Sequence, residues 1–194
     1  MDELVLRAMA KWPNVPALYG WLGLSRRGEW LLREEPVEHT ALQAFISRNY
    51  AADDQGRWFF QNGPQRVYAS LAYTPWILHL QEDGLLQTHT GQVIKDPTVA
   101  LIDEEGSLLL VFEQGVGLLH DNDLAWAIDR LRHPAGQKLT DGQLDSALAQ
   151  LQAGQPAELA LLYQDRLLGC QPIHSRAVAQ RYHFIPNPAP ESAS

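Results

Sequence analysis

Three segments of the chain share one order of polar and apolar residues. Each begins with Ser or Asp, continues with two polar residues, Gly and one further polar residue, and ends with three bulky apolar residues. The segments are SRRGEWLL (25–32), DDQGRWFF (53–60) and DEEGSLLL (103–110). A side-chain oxygen at the first position can bond the turn backbone, and glycine accepts the positive φ that closes a tight turn. The pattern therefore predicts a β-hairpin at each segment.

Apolar residues recur at helical spacing in four other segments. The predicted helices cover residues 2–10, 38–50, 120–133 and 140–154. Thr40 is the expected cap of the second helix, and Thr140 or Asp141 that of the fourth, because their side-chain oxygens can accept from the first free N–H groups.

Together these elements predict an α+β fold with repeated, mostly antiparallel β-hairpins and short packed helices, an arrangement that allows two similar sub-domains. The predicted division is an N-terminal helix and linker at 1–18, a first hairpin unit at 19–90, a second at 91–186 and a proline-rich, disordered tail at 187–194.

Charge and composition exclude several functional classes. Fifteen Lys and Arg against 23 Asp and Glu give a net charge of −8, the wrong sign for a protein that neutralises phosphates, so no nucleic-acid partner is expected. The single cysteine, Cys170, fits a reducing compartment. The N-terminus lacks the apolar run of a leader, and no stretch has the roughly 18 apolar residues of a membrane span. We expect a cytoplasmic protein without a membrane partner.

The segment GEWLLREEPVEHTALQAFISRNYAADDQGRWFFQNGPQRVYASLAYTPW (28–76) resembles a group of uncharacterised proteobacterial proteins with the same hairpin, helix and QNGPQR turn in this order. It is similar, more loosely, to a larger bacterial family of unknown function, in which LLLVFEQGVGLLHDNDLAWAIDRL (108–131) takes the place of a second motif. The resemblance covers residues 20–135. It implies a two-part α+β fold with repeated motifs and a role in regulation or signalling, and it transfers no catalytic residue.

A polar turn between aromatic strands, at 56–76, is the candidate ligand site. Amides and a guanidinium beside aromatic rings suit a small anion or polar ligand. The predicted ligand-binding residues are Asn49, Tyr50, Gln61, Asn62, Gln65 and Arg66. The alternative is a structural hairpin around Asn62-Gly63, with Arg66 paired to a carboxylate such as Glu29 or Asp54.

The sequence contains no standard catalytic or cofactor motif. Its seven histidines have no HxH, HxxxH or HxxE spacing, so no metal site is predicted. His120 with Asp121 and Asp123 is a conceivable cation loop, but Asp121 or Asn122 is better interpreted as a helix cap. Cys170 has an apolar context typical of an inert core thiol. No catalytic residue and no cofactor is predicted.

These observations favour a non-enzymatic module that binds a small polar or anionic ligand or a protein partner, with a role in regulation. The alternative is an enzyme of unrecognised type that uses Asp, Glu or His residues brought together from separate hairpins. The sequence leaves the oligomeric state open.

Overall fold

The predicted hairpin turns share one construction in the structure, a computed structural model that describes residues 2–11 and 15–190. In the second turn, Asp53 Oδ1 accepts hydrogen bonds from the backbone N–H groups of Gln55 and Arg57, both at 3.0 Å. Ser25 and Asp103 accept from the same two positions of their own turns. Gly28, Gly56 and Gly106 have φ values of +83°, +78° and +82°. The three hairpin predictions are confirmed.

Two further turns of this type begin at Gln81 and His133. In each, the N–H of the first residue donates to the carbonyl oxygen of the fifth, and the fourth residue, Gly84 or Gly136, has a positive φ. The sequence pattern missed them because the first residue is neither Ser nor Asp. At His133 the ring Nδ1 replaces the oxygen and accepts from the N–H of Ala135 at 3.1 Å.

Contacts between α-carbons divide the chain into two compact units. Unit 1 comprises the described residues of Met1–Pro75, His89–Gly91 and His183–Ser194, and unit 2 comprises Trp76–Thr88 and Gln92–Tyr182. The boundaries expected from the sequence, 19–90 and 91–186, stay a prediction. The predicted tail, 187–194, lies partly outside the described residues.

Unit 1 contains a six-stranded sheet and two helices within the described part of the chain. The helices are α1 (Glu3–Lys11) and α2 (Thr40–Arg48), and the strands are β1 (Leu18–Leu24), β2 (Trp30–Leu32), β3 (Glu35–Pro36), β4 (Tyr50–Ala52), β5 (Trp58–Asn62) and β6 (Gln65–Leu71). The spatial order is β3-β2-β1-β6-β5-β4, and β1 pairs with β6 in parallel while the other neighbours are antiparallel. Helix α2 packs against β5.

Unit 2 contains an eight-stranded sheet. Its strands are β7 (Trp76–Leu80), β8 (Leu86–Thr88), β9 (Val99–Ile102), β10 (Leu108–Phe112), β11 (Gly115–Leu119), β12 (Leu131–Arg132), β13 (Ala160–Tyr163) and β14 (Arg166–Pro172). Its helices are α3 (Leu124–Ile128), α4 (Asp141–Gln152) and α5 (Ser175–Arg181). The order is β12-β13-β14-β9-β10-β11-β7-β8, with β14–β9 and β11–β7 parallel. The predicted α+β class with mostly antiparallel pairing is confirmed.

The helices differ from the predictions at their ends. Thr140 caps α4 with a full capping box, as expected, but the cap of α2 is His39, whose Nδ1 accepts from the N–H of Leu42 at 3.3 Å. The predicted helix at 120–133 is shorter: a 3-10 turn at Asp121–Asp123 leads into α3, and the following residues form β12. The pairing of β12 with β13 explains this early end. Helix α5 was not predicted.

Each unit has an apolar core built on its sheet. Side chains from α2 and β1 fill the core of unit 1. Side chains from β7–β11, from α4 and from the residue before β13 fill the core of unit 2. The largest fully buried side chains are Leu22, Leu24 and Ile46 in unit 1, and Ile77, Leu78, Leu86, Leu101, Leu109, Leu110, Leu119, Leu151 and Leu159 in unit 2.

Candidate functional site

The β5–β6 hairpin carries the polar turn singled out in the sequence. Its register pairs Gln61 with Arg66 and Asn62 with Gln65, so the two loop residues are Gly63 and Pro64. Gly63 has a φ of +56°, which an L side chain rarely adopts. The loop is therefore one residue later than the Asn62-Gly63 turn expected from the sequence, because Asn62 still belongs to the ladder.

A cavity of about 440 Å³ adjoins this hairpin within unit 1. Both polar and apolar side chains line it, and they come from α1, the segment before β1, and the two hairpin strands. The lining residues are Met9, Val15, Ala17, Gln61, Pro64, Arg66 and Tyr68. Its size lies in the range of about 300–1,000 Å³ that small-molecule sites occupy.

Gln61 is the most unusual of the polar residues that line the cavity. Its side chain is fully buried, and its Nε2 donates to the carbonyl oxygen of Gly63 at 2.9 Å. This bond fixes the amide orientation and turns Oε1 away from Gly63. Oε1 is buried and has no hydrogen-bond partner among the described residues. Buried polar atoms are nearly always hydrogen-bonded, so this acceptor is an exception within the part of the chain that the structure describes.

Arg66 is the charged group at the cavity. Its guanidinium lies 4.7 Å from the centroid of the Phe59 ring, and none of the described carboxylates comes within 4 Å of it. Neither Glu29 nor Asp54, the acids considered from the sequence, pairs with it. The carboxylate of Asp53 instead pairs with Arg57 at 2.7 Å.

Tyr68 connects the cavity to this ion pair. Its hydroxyl donates to Asp53 Oδ2 at 3.0 Å, and its ring stacks on that of Tyr19 with 4.7 Å between centroids. Burial raises the pKa of Tyr68, while its hydrogen bond with Arg66 acts in the opposite direction. Tyr68 is thus a neutral hydroxyl held in place on one side of the cavity.

The other predicted site residues lie outside the set that lines the cavity. Asn49 is fully buried and holds the start of α1: its Oδ1 accepts from the N–H of Asp2 at 2.7 Å, and its Nδ2 donates to the carbonyl oxygen of Phe45. Gln65 Nε2 donates to the carbonyl oxygen of Pro16 at 3.0 Å, and Asn62 is exposed.

Tyr50 belongs to an aromatic cluster in the core of unit 1. Its ring lies 4.9 Å from Trp30 in a T-shaped arrangement and 4.8 Å from Trp58. Its hydroxyl donates to the carbonyl oxygen of Pro75 at 3.2 Å. The structure thus brings Gln61 and Arg66 together at the cavity and gives Tyr50 a packing role.

A second group of polar side chains lies in unit 2. The sequence analysis considered two of its members, His120 and Asp123, as a cation loop with Asp121, but it missed the third, His79. One ligand-type atom from each of His79, His120 and Asp123 lies within 4.8 Å of the other two. We call these three residues the His79 cluster. The register of the parallel strands β7 and β11, which aligns Leu78 with Leu119, makes the two histidines neighbours although they are far apart in sequence.

The matching family model covers residues 1–189 and is described as "Protein of unknown function (DUF2946)". The chain belongs to this family, DUF2944. No curated protein matches this DUF2944 member. No helix within its described residues is long and apolar enough to cross a membrane.

Two solved structures resemble the DUF2944 chain. A DUF1285 family protein from Silicibacter pomeroyi DSS-3 is 13% identical and aligns with a TM-score of 0.52 over 89% of this chain and 97% of the other. A DUF1285 family protein from Shewanella baltica OS155 is 14% identical, with a TM-score of 0.41 over 57% of this chain and 91% of the other. The first likeness indicates a shared fold.

Proposed function

We propose that the unit 1 cavity binds a small anion that also carries a hydrogen-bond donor, and that the protein is a non-enzymatic binding module. The observation that carries the proposal is the pairing of Gln61 and Arg66 across one hairpin. The first offers a buried acceptor without a donor, and the second offers a cation without a carboxylate among the described residues.

The two side chains define the chemistry of the ligand. A guanidinium presents parallel N–H groups that match a carboxylate or a phosphate, so the anionic group belongs on Arg66. The ligand group that reaches Gln61 must be a hydroxyl, an amine or an amide N–H, because Oε1 accepts only. Hydroxy acids, amino acids and phosphate esters with a free hydroxyl combine both groups.

An unsatisfied buried acceptor costs about 1–3 kcal/mol in the empty protein. A hairpin that served only the fold would gain stability from an apolar residue at position 61. A ligand that donates a hydrogen bond to Oε1 removes this cost, and the free energy regained adds to the binding affinity. This supports a ligand-binding role for Gln61.

Contacts with α1 support a regulatory use of binding. Met9 brings α1 to the cavity, and Asn49 holds the first residue of the same segment. A ligand that packs against Met9 would stabilise the position of α1. Ligand binding would then change the exposed surface of this helix, which a partner protein could recognise. There Leu4 and Leu6 are 76% and 51% exposed.

The described lining of the cavity contains no carboxylate and no imidazole. These are the groups that most often serve general acid–base catalysis near pH 7, and the remaining titratable hydroxyl, that of Tyr68, has a raised pKa. Among the described residues, the His79 cluster is the group that favours the enzymatic alternative from the sequence.

Thermal unfolding with paired probes tests the proposal. Each hydroxy acid or amino acid is compared with the carboxylic acid that lacks its hydroxyl or amino group. We expect a larger rise in Tm with the donor-bearing member of a pair, since it reaches both Arg66 and Gln61. Arg66→Gln should remove the response to both members.

Arg26→Gln is the matched control, because Arg26 also lies over an aromatic ring, 4.6 Å from the centroid of Tyr73, but does not line the cavity. It should respond as wild type does. A full response in Arg66→Gln, or equal responses to both members of every pair, would contradict the proposed site.

A further inference from the structure

The His79 cluster stands at the ends of two parallel strands. His79 lies in β7, and His120 directly follows β11, where its backbone N–H donates to the carbonyl oxygen of Leu78 at 2.9 Å. The two imidazole rings are 4.7 Å apart between centroids and 35° from parallel. Asp123 comes from the 3-10 turn that follows. Two separate pieces of backbone, β7 and the segment that follows β11, therefore converge on one point.

Hydrogen bonds to the main chain hold two of the three side chains in position. Asp123 Oδ2 accepts from the N–H of Leu80 at 3.0 Å, which leaves Oδ1 as its available oxygen. His120 Nδ1 accepts from the N–H of Asn122 at 3.1 Å and lies 3.0 Å from Asp121 Oδ1. No described residue hydrogen-bonds to Nε2 of His120. The atoms left to bind a metal, Nε2 of His120 and Oδ1 of Asp123, thus have no hydrogen-bond partner among the described residues.

We propose that His79, His120 and Asp123 bind a divalent transition-metal ion of the zinc type. Two imidazole nitrogens and one carboxylate oxygen are ligands that Zn²⁺ takes in proteins, and two imidazoles suit Mg²⁺ poorly. This site is in unit 2 and is independent of the anion cavity in unit 1.

The neighbouring Asp121 supports His120 as a metal ligand. Metal binding at Nε2 moves the imidazole proton to Nδ1, so Nδ1 no longer accepts from the N–H of Asn122. Asp121 Oδ1, 3.0 Å from Nδ1, then accepts this proton, and it also accepts from the N–H of Asn122 at 3.0 Å. A carboxylate behind a ligating histidine fixes the ring and raises its basicity. Asp121, considered from the sequence as a cation ligand, is then a positioning residue.

Three protein ligands leave at least one coordination position for water or another small ligand. Bonds of about 2.0–2.2 Å bring tetrahedral ligand atoms closer together than the 4.8 Å span of the cluster. The half-buried His79 has the freedom to make this adjustment, because no described residue hydrogen-bonds to its ring.

Isothermal titration of the untagged, full-length protein with Zn²⁺ tests the site. Wild type should bind one ion, and Mg²⁺ should give no comparable binding. His79→Ala and Asp123→Asn should each weaken the affinity at least about tenfold, since even residues behind the ligands change it by that factor. His174→Ala is the matched control, because His174 is 55% exposed and outside the cluster, and it should bind as wild type does.

Co²⁺ substitution gives a second readout that does not depend on stability. The bound ion should show d–d absorption in wild type and in His174→Ala, and this absorption should be lost in His79→Ala, with circular dichroism confirming that the variant is folded. Absence of stoichiometric Zn²⁺ binding in wild type, or binding that His79→Ala and Asp123→Asn leave unchanged, overturns the proposal.

Discussion

Gln61 and Arg66 are register partners across the β5–β6 hairpin, and both side chains line the same cavity. Neighbouring Arg57 offers a contrast, since it also lies over an aromatic ring but is paired with Asp53, and only 15% and 9% of these two side chains are exposed. The two arginines therefore allow a direct test of the proposal, in which Arg66 binds a ligand and Arg57 stabilises the fold.

Arg66→Gln should lower the free energy of unfolding by less than about 1 kcal/mol, the value of an exposed cation–π contact. Arg57→Gln should cost about 3 kcal/mol, because it leaves the carboxylate of Asp53 buried without its cation. Urea unfolding of the two variants beside wild type measures both. Similar losses in the two variants would show that Arg66 is a structural residue.

Gly56 and Gly84 occupy the fourth position of turns with the same construction, with φ values of +78° and +79°. An added Cβ at Gly84 meets nothing within 4 Å, whereas at Gly56 it would lie 2.1 Å from the carbonyl oxygen of His183. Gly84→Ala should cost about 1–2 kcal/mol for the left-handed backbone. Gly56→Ala should cost about 1–3 kcal/mol more, as overpacking does. Equal losses in denaturant unfolding would contradict this close approach.

The hairpins could be predicted because their signals are local. A side-chain acceptor and a glycine three residues later decide the turn, whatever lies elsewhere in the chain. The turns at Gln81 and His133 were not predicted, because their first residue is neither Ser nor Asp. The parallel pairings β1–β6, β7–β11 and β9–β14 have no such local signal, since they join strands that are distant in sequence.

The difference between local and long-range contacts also explains which residues of the candidate sites could be predicted. Gln61 and Arg66 stand beside one short turn, so the sequence named both as ligand-binding candidates, although the Asn62-Gly63 turn that it predicted does not pair them. Met9 reaches the cavity only through the fold, and His79 meets His120 only through a parallel strand pair. Asn49 and Tyr50 were predicted as site residues because their chemistry suits a ligand. In the structure Asn49 anchors backbone groups, Tyr50 belongs to an aromatic cluster, and neither is among the residues that line the cavity.

Glu104 is expected to make stability depend on pH. Ser175 donates to its carboxylate through both its hydroxyl and its backbone N–H, at 2.6 and 2.8 Å, and these bonds lower the pKa of Glu104 from 4.5 to about 2. A depressed folded-state pKa means that the stabilisation is present above pH 4.5 and is lost as the pH falls toward 2. The Tm of wild type should exceed that of Glu104→Gln at neutral pH, and the difference should shrink over this range.

Glu82→Gln is the matched control for this effect. Glu82 holds the second position of its turn, as Glu104 does, but it is exposed and none of the described residues hydrogen-bonds to it. Its replacement should leave the pH dependence of Tm as in wild type. A difference between wild type and Glu104→Gln that persists unchanged to pH 2 would contradict the assignment.

Cys170 should be chemically inert in the folded protein. It is buried in β14, and burial raises its pKa to about 12, so almost no thiolate forms at neutral pH. Iodoacetamide should label the thiol at the rate of global unfolding and rapidly in denaturant. Fast labelling of the native protein would show that this part of unit 2 opens locally.

Gln61→Met should separate stability from binding. The substitution removes the Nε2 hydrogen bond, a loss of about 0.5–1.5 kcal/mol, and it also removes the buried acceptor without a donor, a gain of about 1–3 kcal/mol. We expect an unfolding free energy equal to or above that of wild type, together with a loss of the extra Tm rise that donor-bearing probes give. Gln65→Met is the control, since Gln65 makes a similar bond to Pro16 without a buried orphan oxygen, and it should be no more stable than wild type. A net loss above about 1.5 kcal/mol in Gln61→Met would mean that Oε1 already has a donor in the folded protein, and the argument for a ligand at this position would fail.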